Sequence, residues 1–296
     1  MQVEMIGREN ILMQLITTTK PIIKTNNMKK VKYGYISPIK YQHLIPESAD
    51  FHLILAHLLD KQEYVDFYKE KIQRGDTVIL DNSAFEFKRA LSAEEIFGFI
   101  ERSGIEPTYV VAPDYPFQEW QITMESTLAF IKEVKDKPYK VMAVPQSRKG
   151  DVEGWVTCYD LMVHNPNIDV IGMSILGIPN AFCHMTGTDD IAFNRIFATK
   201  YLLERKSNNP TKWHHYLGLG GGPREILIQR QLGLMDSNDS SSAFWHGYLD
   251  IQFDDSIWGL KDGKSKIEVD FDAAYSEESE QVIKKNIDFM ENIILK

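Results

Sequence analysis

The sequence predicts an α/β protein built as a single-domain (β/α)8 barrel, and three observations carry that expectation. Short apolar runs rich in Val, Ile and Tyr recur with amphipathic stretches between them, the pattern of βαβ units around a parallel sheet. Roughly eight such runs follow one another without a linker or a break in composition, which favours a closed barrel over an open doubly wound sheet. Polar residues gather at the C-terminal ends of the runs. In a barrel those ends converge on one mouth, where active sites of this fold sit.

The strand candidates are KVKYGYIS from Lys30, FHLILAHLL from Phe51, DTVILDNSAF from Asp76, PTYVVAPD from Pro107, YKVMAVPQ from Tyr139, DVIGMSILG from Asp169 and WHHYLGLGG from Trp213. A short eighth is placed near Met235 to Ser242, although Asp, Asn and Ser make LMDSNDSSSAFWHG a poor helix and a poor strand by propensity. Among the helices, SAEEIFGFIERSG is the clearest, with Ser92 and Glu95 as a capping box and Gly104 as its stop. Others are expected over 120–135, 152–164, 191–206 and 224–232, with a C-terminal helix over about 277–296 that closes the structure. DYPFQEW and ERKSNNPTKW read as connecting loops. The whole chain, 1–296, is taken as one domain.

Composition bounds the function. With 43% hydrophobic and 25% charged residues the chain is globular, and no run of about 18 apolar residues calls for a membrane span. The N-terminus lacks a signal-peptide pattern, and two cysteines, Cys158 and Cys183, suit neither a zinc ribbon nor a disulfide scaffold. A cytoplasmic setting is expected. A net charge of −9 argues against blanket nucleic-acid binding, yet residues 20–40 hold six lysines and no acid. That segment is either a local anionic-substrate face or a solvated basic loop.

Four strand-end groups draw attention. LDNSAFEF offers Asp81 and, beyond small residues, Phe85, a carboxylate and an aromatic face for one planar ligand. Taken singly, it reads rather as an Asx-turn with Phe85 in the core, and the same pattern at APDYP and VPQS weighs against that. Asp114 and Gln146 supply an acceptor carboxylate and an amide, a match for a purine edge, while each alone reads as a helix cap. LGLGGGPREIL, residues 217–227, opens a helix after a strand and suits anion binding or a tight structural turn. Asp236 and Asp239, at the eighth strand, are expected to face Asp81 across the mouth. Two such carboxylates can divide nucleophilic attack and proton transfer at an anomeric carbon. His214 and His215 are adjacent on a strand and point to opposite faces, so they are read as core or surface residues and no metal site is predicted. Trp245 and Trp258 are read as core or rim aromatics.

The ordered motifs DNSAFE, APD, VPQS, IGMSILG, HYLGLGGGPREIL and GLMDSND resemble the queuine/archaeosine tRNA-guanine transglycosylases, whose strands end in D-S-G-G-F-Q, an Asp, V-Q-G-G, G-G-L-A-V-G, M-G-V-G-x-P and V-D-M-F-D. The likeness runs over about 76–245 and is closest to the shorter phage-type DNA-guanine transglycosylases, which exchange guanine for a 7-deazaguanine. The resemblance implies Asp239 as nucleophile at C1′ and Asp81 as general acid/base. It implies Asp114 and Gln146 as readers of the guanine edge, with the backbone at Gly172 and Met173 near the exocyclic oxygen. Phe85 and Leu217 would sandwich the base, Gly220 would lie in the glycine turn near the substrate, and Asp236 would support. It implies a glycosyltransferase (a pentosyltransferase) that uses no cofactor, in the host cytoplasm if phage-encoded.

The departures shape the expectation. The tRNA enzymes carry a zinc subdomain with three Cys and a His, which this sequence does not match. Glu86 stands where the family has Gln, Ser83 and Ala84 where it has a Gly pair, and SSSAFWHG lacks the P-T-R that follows the nucleophile. DNA is therefore the expected partner, with Lys20, Lys24, Lys29, Lys30 and Lys32 as candidate backbone contacts. The alternatives are the same chemistry on tRNA, a non-catalytic nucleic-acid-binding relative, and a small-molecule barrel enzyme using the glycine turn for phosphate.

Overall fold

The computed structural model describes residues 30–256 and 270–295, so Lys20, Lys24, Lys29 and Trp258 lie outside the described residues. Eight strands form: β1 (Lys32–Tyr35), β2 (Phe51–Leu55), β3 (Thr77–Asp81), β4 (Tyr109–Val111), β5 (Lys140–Ala143), β6 (Val170–Met173), β7 (Trp213–Tyr216) and β8 (Ser237–Ser240). Each falls within a predicted run. They pair in parallel in the order β1-β8-β7-β6-β5-β4-β3-β2 and alternate with helices, which makes the molecule a nearly closed (β/α)8 barrel.

The last seam, between β1 and β2, closes by backbone approach. Gly34 faces it, and a Cβ there would stand 3.1 Å from the Leu53 nitrogen and 3.5 Å from the Asp239 Cβ. The lower barrel is filled by aromatic rings. Phe51 lies 5.8 Å from Trp213 and 5.5 Å from His215, and Tyr109 lies 5.5 Å from Trp213. The interior is thus a packed core beneath a mouth, as expected for this fold.

The surrounding helices are α1 (Gln62–Arg74), α2 (Ala84–Phe87), α3 (Ala93–Ser103), α4 (Trp120–Val134), α5 (Val152–Val163), α6 (Gly177–Thr186), α7 (Ile191–Arg205), α8 (Glu225–Leu232), α9 (Ser242–Tyr248) and α10 (Glu277–Leu295). The capping box of α3 forms in full: the Glu95 N–H donates to Ser92 Oγ at 3.1 Å and the Ser92 N–H to Glu95 Oε2 at 2.8 Å, with Gly104 left-handed at φ 61°. Four helices were not anticipated. In α1 the buried face is Tyr64, Val65 and Tyr68, whose hydroxyl-bearing rings blur the apolar period. α2 and α9 are short helices of four and seven residues directly after strands, and α6 starts on Gly177 with Pro179 in its first turn.

β8 is the strand that propensity argues against. Its SNDS residues are all buried, paired to Lys32–Tyr35 on one side and to His215 and Tyr216 on the other. Two neighbouring ladders satisfy its backbone, and this outweighs the local preference. Outside β8 and β1 lies α10, which buries Ile283, Ile287 and Met290 and receives the Tyr35 hydroxyl on Glu291 Oε1 at 2.6 Å. Trp245 packs among Tyr248, Phe271 and Tyr275, a core aromatic as expected. No helix among the described residues is long and apolar enough to cross a membrane.

α10 is pinned by Asn286, which is fully buried. Its Oδ1 accepts from the Phe253 N–H at 2.8 Å, and its Nδ2 donates to the Ile251 and Ala243 carbonyls at 3.0 and 3.3 Å. Truncating it strands three buried backbone groups. Asn286→Ala is therefore expected to lower unfolding free energy by about 2–4 kcal/mol in urea titration. A loss below about 0.5 kcal/mol, the range of ordinary surface changes, contradicts the pinning role.

Candidate active site

The C-terminal strand ends bring four carboxyl groups to the mouth. Asp81 is the last residue of β3, and the chain turns sharply after it through Ser83, which is left-handed at φ 53° and donates its N–H to Asp81 Oδ2 at 2.8 Å. The intervening Asn82 is buried and stitches this turn to the next strand, its Nδ2 donating to the Ala112 carbonyl at 3.1 Å and to Asp114 Oδ1 at 2.7 Å. Burial, followed by the charge of Glu86 and then those of Asp114 and Asp239, pushes the Asp81 carboxyl well above the usual carboxylate range. Glu86 sits in α2 and is itself raised by burial. Its Oε2 is enclosed without a hydrogen-bond partner.

Asp114 and Gln146 meet directly. Gln146 Nε2 donates to Asp114 Oδ2 at 2.7 Å, so both Asp114 oxygens hold a donor, and these donors partly offset the upward push of burial on its carboxyl. The carboxylate takes the amide N–H2, which turns Gln146 Oε1 the other way. That oxygen is fully buried and has no partner. A buried, unpaired acceptor costs about 1–3 kcal/mol and is the kind of group a ligand donor satisfies. Gly177, first residue of α6, lies against it so closely that a Cβ would strike both Oε1 and the Pro145 carbonyl.

Asp239 points into the barrel from β8 and is buried. Its Oδ1 lies 2.9 Å from His215 Nε2 and accepts the Gly218 N–H at 3.2 Å; its Oδ2 accepts no hydrogen bond among the described residues. Gly218 is left-handed at φ 68°, which aims that N–H at the carboxylate. The loop is held from below by a fully buried ion pair, Arg195 Nε to Glu225 Oε1 at 3.2 Å. Arg195 Nη1 donates to the Leu217 and Gly218 carbonyls, and Glu225 Oε2 accepts the N–H groups of Gly220 and Gly221.

This arrangement corrects the phosphate reading of LGLGGGPREIL. The N–H groups of Gly218, Gly220 and Gly221 are already committed to protein carboxylates and offer no anion cradle. Gly220 itself is packed on α7, where a Cβ would strike Ile191. Gly172 faces the barrel interior beneath the Leu217 side chain, which a Cβ at 172 would meet at 3.3 Å; the Met173 carbonyl accepts the Leu217 N–H at 3.2 Å. Phe85 stands at the rim, 53% exposed, with Lys88 Nζ 4.1 Å from its ring centre.

Two expectations fail on direction. Asp236 precedes β8 at the opposite end of the barrel, where its Oδ2 accepts the His214 N–H at 2.8 Å and its carbonyl the Lys32 N–H at 3.0 Å. Three residues of strand carry Asp239 about 10 Å further toward the mouth. Lys30 and Lys32 likewise lie at the start of β1, with Lys32 Nζ paired to Asp50 at 3.0 Å, and are not brought to the site. The residue that sequence reasoning passed over is His215. Alternation does send His214 and His215 to opposite faces, but the inner face of β7 runs into the inner face of β8, and His215 meets Asp239 there.

No group of His, Cys, Asp and Glu among the described residues is arranged to hold a metal ion, and both cysteines are free and buried. A surface cleft between α3 and α4, lined by Glu94, Glu101, Glu133 and Lys137, shares no residue with the mouth cluster. No protein-family model and no curated protein matches the chain.

The raised Asp81 carboxyl has a stability consequence. A carboxyl whose folded pKa lies above its unfolded value costs nothing at low pH, where both states are protonated, and costs progressively more as pH rises through the unfolded value. Asp81→Asn keeps the acceptor for the Ser83 N–H and removes that cost. It is expected to raise stability by about 0.5–2 kcal/mol at pH 7 in thermal melts, with the gain fading below about pH 4. A variant less stable than wild type at pH 7 contradicts the strained carboxyl.

Proposed function

We propose that the chain is a base-exchange transglycosylase that replaces guanine in DNA with a 7-deazaguanine through a covalent aspartyl intermediate. The observation that carries the reading is Asp239: one oxygen is anchored by two donors, the other carries none among the described residues, and its charge is felt by Asp81, a carboxyl biased toward its protonated form. Those are the two roles that retaining glycosyl transfer assigns to a pair of carboxyls.

In the first step Oδ2 of Asp239 attacks C1′ as the bond to guanine N9 breaks, and Asp81 gives its proton to the departing base. An ester links Asp239 to the deoxyribose. In the second step the incoming base loses its N9 proton to the Asp81 carboxylate and attacks C1′ through N9, which releases Asp239 as a carboxylate. Both protons pass through Asp81, so the cycle returns it to its starting form. Guanine presents N1–H and N2–H2 donors, and the Asp114 carboxylate, held in place by Asn82 and Gln146, is the acceptor that suits them. Adenine, with an acceptor at N1, leaves that carboxylate unsatisfied.

A base in a duplex must be flipped out to reach such a mouth, at a cost of a few kcal/mol. Phe85 with Lys88 above it offers a ring face and a cation at the rim, where a displaced strand would pass. The choice of DNA over tRNA rests on the likeness to the shorter phage-type enzymes.

Radiolabelled guanine supplied with DNA and tRNA side by side tests both halves of the proposal. Label is expected in DNA with wild type, and Asp239→Asn is expected to cut incorporation by at least about 1,000-fold while melting normally. Incorporation into tRNA alone assigns the other polymer. Absence of label from both, or full activity in Asp239→Asn, overturns the assignment.

A further inference from the structure

We propose that His215 is the positioning residue for Asp239 and that Trp213 and Ser237 beneath it set the tautomer in which it works. The inference rests on the transglycosylase reading only for what Asp239 does once it is positioned. An indole N–H can only donate, and Trp213 Nε1 lies 2.7 Å from Ser237 Oγ, so that oxygen accepts. Ser237 Oγ lies 2.8 Å from His215 Nδ1. The hydroxyl has one proton of its own, and giving it to Nδ1 requires Nδ1 to carry a lone pair. The ring proton is then on Nε2, 2.9 Å from Asp239 Oδ1. The opposite tautomer would set the Nε2 lone pair against a carboxylate oxygen.

The result is a directed chain from indole to hydroxyl to imidazole to carboxylate, with Ser237 and His215 fully buried. It ends on Oδ1, which the Gly218 N–H also reaches at 3.2 Å. Two donors on one oxygen fix the plane of the carboxylate and leave Oδ2 to attack. In the ester, Oδ1 becomes the carbonyl oxygen and keeps both donors. When Asp239 leaves in the second step, those same donors receive the returning negative charge, so His215 assists departure as well as attack without itself exchanging a proton.

His215→Phe, His215→Gln and Ser237→Ala, each checked for normal melting, separate this role from a merely structural one. His215→Phe is expected to lower kcat for guanine exchange about 100-fold with KM for DNA little changed. His215→Gln, whose amide N–H can reach Oδ1, is expected to recover most of that loss. Ser237→Ala keeps the imidazole and loses its Nδ1 partner; it is expected to cost about 10-fold, and it serves if His215→Phe does not fold. Nitrogen NMR of the wild-type imidazole is expected to show the proton of the neutral ring on Nε2. Wild-type kcat in His215→Phe, a His215→Gln as slow as the phenylalanine variant, or a proton on Nδ1 overturns the proposal. If the wild type exchanges no base at all, the transglycosylase reading fails, and the NMR tautomer still decides whether His215 serves Asp239.

Discussion

A carboxylate inside a barrel is the constraint on which the rest of this structure depends. Asp239 sits in a strand, facing inward, where an unpaired charge would cost several kcal/mol. Its neighbours answer that demand in a fixed order. β7 brings His215 to the same inner face, the loop after β7 turns left-handed at Gly218 to send a backbone N–H to the same oxygen, and the Arg195–Glu225 pair holds that loop from beneath. Glu225 uses one oxygen for Arg195 and the other for the N–H groups of Gly220 and Gly221, so the glycine loop is ordered by charge as well as by turn geometry. The glycines serve close approach: to α7 at Gly220, to Gln146 at Gly177, to the β1–β2 seam at Gly34.

Around Asp239 the mouth concentrates groups that resist ionisation together. Asp81, Glu86 and Asp114 are all raised by burial, and Asp81 also by its acidic neighbours. Such clustering works against stability, and it is characteristic of sites where proton affinity is set for chemistry. The roles diverge with the hydrogen bonds. Asp114 is locked by Asn82 and Gln146 into a fixed acceptor, whereas Asp81 has one backbone donor and is only partly enclosed. In the proposed reaction one carboxyl reads the base, another moves a proton, and a third forms the bond to the sugar.

The barrel itself was legible. Seven strands announce themselves by Val, Ile, Leu and aromatic runs, and the α3 capping box is written in Ser92, Glu95 and Gly104. β8 was found by position, since its SNDS residues become a strand only because ladders exist on both sides. α1 was missed because tyrosines carry its buried face. The site was legible where residues end a strand, as at Asp81, Asp114 and Gln146, because the end of a strand fixes which rim a residue joins. It was illegible where parity and depth matter. Asp236 and Asp239 look alike in sequence, yet three residues of strand place them at opposite ends of the barrel. His215 becomes significant only once the β7–β8 register sets it opposite Ser237, two residues below Asp239. Lys30 and Lys32 misled for the same reason, since a basic segment has no direction until β1 is given one.

In the proposed reaction Asp239 forms a covalent bond to the sugar, with Asp81 acting opposite it. The most direct measurement is denaturing capture of the protein on guanine-containing DNA, followed by peptide mass mapping of the attached deoxyribose. A single adduct on the peptide bearing Asp239 is expected with the wild type when no second base is present, absent in Asp239→Asn and forming far more slowly in Asp81→Asn, which lacks the acid for the departing base. An adduct on any other residue, or base exchange that proceeds with no adduct at all, would contradict it.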